Sequence, residues 1–135
     1  MKKLYLKIAG CINLFTAVLH LIAGQVDLVN PLMNSNLALQ EKGEITSAWH
    51  IVTILLFFTS YIILRHAFSN ENGRSIQQLK DLAFLYLLCG LPFIIISLIL
   101  GIFAPQWILL MPIGVLILLE VRKEKASQFR LQETK

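Results

Sequence analysis

His20 and His50 are the residues of this chain best suited to chemistry. Each lies near one end of a long apolar segment. A neutral imidazole can take up a proton near neutral pH, ligate a metal ion, or bind a haem iron axially. An ionisable group at membrane depth is costly and rarely faces lipid, so each histidine needs a partner or a purpose. His66 is different. It follows Arg65 and precedes Ser69-Asn70-Glu71-Asn72-Gly73, which reads as a solvated helix end where the cationic form is favoured.

The neighbours of the histidines recur at helical spacing. Ala9, Asn13, Thr16, His20 and Gly24 fall on one helix face. Thr46, His50, Thr53, Phe57 and Ser60 form a second such stripe. Tyr86, Gly90, Phe93, Ser97 and Gly101 form a third, and Trp107, Met111, Gly114 and Leu118 a fourth. Small and weakly polar stripes let membrane helices approach and hydrogen-bond across the contact.

The elements that carry these stripes follow from composition. The chain has 135 residues, 56% hydrophobic and 15% charged, with mean hydropathy +0.69. Soluble domains carry about a quarter charged residues. The apolar residues gather into blocks at 4–24, 45–64, 82–103 and 105–121. Crossing ~30 Å of hydrocarbon takes ~20 helical residues. The last block reaches that length only by borrowing from the turn before it. A barrel would instead show short alternating segments. The fold class predicted is all-α: a single integral membrane four-helix bundle, up-down-up-down.

The formal charge is +4, and its placement sets an orientation. Lys2, Lys3 and Lys7 open the first block. Arg65, Arg74 and Lys80 separate the second and third, and a basic tail occupies 122–135. The 25–44 loop holds only Lys42 against Asp27, Glu41 and Glu44. Positive residues stay on the cytoplasmic side, so both termini are predicted there. This points to a multi-pass protein of the cell membrane, of the bacterial cytoplasmic type. Its surroundings are the lipid bilayer, with a small ligand, a homo-oligomer or a membrane-complex partner as candidate contacts and no nucleic acid.

Helical rise then gives depth. His20 and His50 each lie ~6–8 Å below the outer ends of their helices, and Ser97 and Met111 ~9 Å. These residues are expected to form one layer in the outer third. Asn13 lies ~10 Å deeper. The candidate ligand-binding set is therefore His20, His50, Asn13, Thr16, Thr53, Ser97, Met111 and Trp49. Trp107 suits the interfacial belt. The 25–44 loop is expected to roof this layer, either as a short surface helix or as a plain loop. Pro92 and Pro112 are expected to kink their helices.

Three functions compete on these residues. The first is a polar pocket that binds a small molecule or ion, or senses protonation. The second is a haem- or metal-binding redox protein using both histidines, with Gly90, Gly101 and Gly114 making room for the ring. The third is a structural or accessory subunit whose histidines only stabilise the bundle. No phosphate loop, metalloprotease motif or nucleophile elbow occurs. Cys11 and Cys89 match no redox or metal spacing.

Overall fold

The computed structural model describes residues 3–69 and 76–133. Among these residues helix is the only regular structure, and there is no strand. Helix α1 (Leu4–Gly24) passes through a π-helical turn (Gln25–Val29) into α2 (Asn30–Met33). Helices α3 (Leu39–Phe68), α4 (Ile76–Leu100) and α5 (Gln106–Glu133) follow. Leu4–Met33, Leu39–Phe68 and Ile76–Leu100 are each long and apolar enough to cross a membrane. Pro92 lies within α4 and Pro112 within α5, and neither ends its helix.

The segment read as an outer loop, 25–44, is mostly helix. Only residues 34–38 turn. Its polar residues are strong helix formers rather than loop formers, as Gln40, Glu41 and Lys42 show. They also cap. The Glu41 carboxylate accepts the Ala38 amide at 3.1 Å, and Lys42 Nζ donates to the Met33 carbonyl at 2.9 Å. The basic tail is helical too, because α5 runs on to Glu133.

The π turn has a packing cause. The buried residues of α1 include Asn13, Thr16, Ala17 and Gly24. Regular α-helical phase would next bring Asp27 or Leu28 inward. The wider turn brings Val29 inward and leaves both of those exposed.

Helix α1 packs against α3 and α5, and α4 packs against α5. Along α1 and α3, Gly24 meets Trp49, His20 meets Thr53, Asn13 meets Thr59 and Gly10 meets Ile63. Each step back along α1 matches a step forward along α3, so the pair is antiparallel. Leu56, rather than Phe57, takes the buried position on α3; Phe57 is exposed. In the other pair, Gly114 lets α5 press on α4. A Cβ there would sit 2.7 Å from the Ala83 carbonyl oxygen. The last buried residue of α4 is Gly90, so its C-terminal part offers a largely apolar surface.

One end of the bundle is tied by charged caps. Lys3 Nζ donates to the carbonyls of His66 at 3.1 Å and Ser69 at 3.0 Å, closing the C-terminus of α3. The Tyr5 amide donates to Glu120 Oε2 at 3.0 Å, so a buried α5 carboxylate caps the N-terminus of α1. Lys7 lies over the Phe68 ring and Lys123 over the Tyr5 ring.

Candidate functional site

At the other end α1 and α3 bring His20, Trp49 and Thr53 together. The imidazole stacks on the indole with centroids 3.9 Å apart and planes 10° from parallel. The indole Nε1–H donates to the His20 carbonyl at 3.3 Å. Gly24 makes this possible, because any Cβ at that position would overlap the Trp49 ring. One turn inward, the Thr53 hydroxyl lies 2.9 Å from His20 Nδ1.

The Thr53 hydroxyl has one hydrogen, which it donates to the Trp49 carbonyl at 3.1 Å. With that hydrogen placed on the Trp49 carbonyl, the hydroxyl accepts from His20, whose Nδ1 then carries the proton. In the neutral ring Nε2 is then a bare acceptor. This is the arrangement in which an orienting partner fixes one imidazole nitrogen and leaves the other for a ligand.

His50 follows Trp49 and is half-buried. It lies within electrostatic reach of His20, although no hydrogen bond joins the two. One turn outward, Thr46 Oγ1 is buried without a partner. Among the described residues no hydrogen bond reaches His20 Nε2 or Thr46 Oγ1.

The other members of the expected set lie elsewhere. The Thr16 hydroxyl bonds back to the Ile12 carbonyl at 2.8 Å, which uses its only hydrogen within α1. Ser97 donates to the Phe93 carbonyl at 2.6 Å and accepts the Ala104 amide at 3.1 Å, fastening the turn after α4. Met111 packs on Gly90 and lines a shallow apolar groove with Trp107, Ile108, Pro112 and Val115. Asn13 belongs to a separate cluster with Thr59 and, through it, Tyr86. Spacing alone did not single out Thr59. The depth of Asn13 on an antiparallel partner points to it, once the register is known.

The room proposed for haem is not there. Gly90 is covered by Met111 and Gly114 by Ala83 and Leu87, while Gly101 lies exposed in the turn after α4. These glycines serve helix contact and chain reversal. Among the described residues no group of three or more His, Cys, Asp and Glu side chains is placed to hold a metal ion. Cys11 and Cys89 are both exposed and unbridged.

No protein-family model, curated protein or solved structure matches the chain.

Proposed function

We propose that this is a multi-pass protein of the cell membrane that binds a small polar ligand or ion, in a protonation-dependent way, at His20. The observation that carries this reading is an imidazole whose Nδ1 lies 2.9 Å from the Thr53 hydroxyl and whose ring face is stacked on Trp49, with no hydrogen bond from the described residues to its Nε2. Protonation would keep the Nδ1–H bond to Thr53 and convert Nε2 from acceptor to donor. It would also place a cation against the Trp49 face, a favourable contact. The site would then prefer ligands that donate at higher pH and anionic or accepting ligands at lower pH. His50 and the Thr46 hydroxyl would supply further contacts.

The bundle is read as up-down-up-down, with α5 crossing through its apolar first part and continuing beyond the membrane. The clustering of Lys3, Lys7, Lys80, Lys123 and Lys125 at the capped end supports placing both termini in the cytoplasm. The histidine cluster then faces the outer side.

The test is a thermal-stability screen of purified protein in bilayer nanodiscs against small organic acids, alcohols, amines and divalent ions at two pH values. A ligand present at ~100 times its Kd stabilises by ~2.7 kcal/mol. The reading requires a stabilising compound whose effect changes with pH and disappears in folded His20→Gln. A structural role for the histidines predicts lowered stability in that variant with every ligand response unchanged.

A further inference from the structure

The two prolines inside helices lie close to one level. Met111 packs on Gly90, and Gly114 on Ala83 and Leu87, so α4 and α5 run antiparallel. In that register Pro92 and Pro112 fall within about one helical turn of each other. A proline has no N–H. Each therefore removes one bond from its helix, to the Leu88 carbonyl in α4 and to the Ile108 carbonyl in α5. Such gaps are where helices bend.

The packing changes at the same level. Helix α4 is last buried at Gly90 and α5 first at Ile113, and none of residues 91–112 is buried. Among the residues between the prolines only Leu110 packs against the main core. Helix α4 makes extended contact with α5 and with neither α1 nor α3 among the described residues. The α1–α3 pair instead stays closed as far as Gly24 and Trp49.

The segment beyond the prolines is nevertheless one unit. Ser97 Oγ donates to the Phe93 carbonyl at 2.6 Å and accepts the Ala104 amide at 3.1 Å, which ties α4 to the connection that follows it. Gly101 reverses the chain with φ 63°, a conformation that suits glycine. The Ile108 amide bonds to the Pro105 carbonyl at 2.9 Å and starts α5.

We infer that residues 93–111 are a hinged flap, which pivots as a unit at Pro92 and Pro112 to open or close the bundle at the end that carries the histidine cluster. The motion pulls no buried side chain out of the core, and the bonds that would resist bending are already missing. Its pivot lies at the depth of His20. Asn13 bonds to Thr59, whose hydroxyl is 2.6 Å from that of Tyr86, so Asn13 and Tyr86 share a level. His20 and Phe93 are each seven residues further along their helices, ~10 Å. The inference does not depend on the histidine site binding anything.

Pulsed electron double resonance on the full chain in nanodiscs tests it, with the exposed Cys11 and Cys89 replaced by alanine and spin labels at exposed positions. Leu98→Cys with Ser47→Cys spans the flap and α3. Phe84→Cys with Tyr61→Cys spans the same two helices on the other side of the hinge, and Leu98→Cys with Ile108→Cys lies within the flap. The first pair should give a distance distribution about two-fold broader than either of the others. Pro92→Ala with Pro112→Ala should narrow it to match them. A first pair as narrow as the second would overturn the inference. So would an equally broad pair within the flap, which means fraying rather than a hinge, or a first pair still broad after both prolines are replaced. The first two comparisons keep both prolines, so they decide the matter even where the double variant does not fold.

Discussion

The two ends of α1 use polar groups in opposite ways. At the end near Lys3 each cap has a structural job: Lys3 closes α3 and Glu120 opens α1. At the end near Gly24 the bonds of His20, Trp49 and Thr53 orient a ring and leave one of its nitrogens unused. A cap lowers the cost of ending a helix, and its removal should be felt as lost stability. An oriented imidazole with a spare nitrogen contributes little to stability and offers a contact. The difference separates residues that hold the bundle from residues that can act.

Mutation can sharpen that contrast. The largest effect is expected at Glu120. Glu120→Ala leaves the partly buried Tyr5 amide unpaired and opens a cavity where the buried carboxylate sat, a loss of about 3 kcal/mol in reversible unfolding. Glu120→Gln keeps an acceptor and should lose less than half as much. Equal losses would contradict capping as the role of Glu120.

Gly24→Leu comes next, because the new side chain would displace the Trp49 ring. Overpacking of this kind costs about 2 kcal/mol and should abolish the aromatic circular-dichroism signal of the stacked rings. Gly43→Leu is the control, since a Cβ there meets nothing within 4 Å.

Thr53→Val removes the acceptor that orients His20, with a stability loss of about 1 kcal/mol. Its main consequence should be on ligand response, through a ring no longer held in one tautomer. The same change at Thr16, whose hydroxyl bonds only within its own helix, should leave that response intact.

The smallest effect is expected between α4 and α5. Lys80, in hydrogen-bond reach and of like charge, holds the Lys125 amine below the usual lysine range. A base lowered in the folded state is disfavoured there while protonated. The strain is therefore present at neutral pH and fades as pH rises through the lysine range. Lys80→Gln should raise stability slightly at neutral pH, and the gain should vanish in high salt.

The helices and the faces they bury were largely legible in the sequence. The stripe Ala9, Asn13, Thr16 and Gly24 is buried on α1, because one helical period governs its whole length. The α3 stripe drifted by one residue at Phe57, since the pattern over several turns does not distinguish positions 56 and 57. Between Gln25 and Glu44 a short surface helix was one of two readings, but its continuity with α1 and α3 was not legible. Its polar residues looked like a loop, whereas their propensity and capping favour helix, and only the π turn keeps Val29 inward. At the site, the pairing of His20 with Thr53 and Trp49 required the α1–α3 register. The expected layer with Ser97 and Met111 assumed that equal depth implies contact. Ser97 instead fastens a turn and Met111 fills the space above Gly90.

The most direct test of the account is an acid titration of Trp49 fluorescence in a Trp107→Phe background. A protonated imidazole stacked on indole quenches its emission, so Trp49 reports the charge on His20. The account predicts a single quenching transition on acidification, absent in His20→Gln and altered in Thr53→Val. A flat titration, or a transition that persists in His20→Gln, would contradict it.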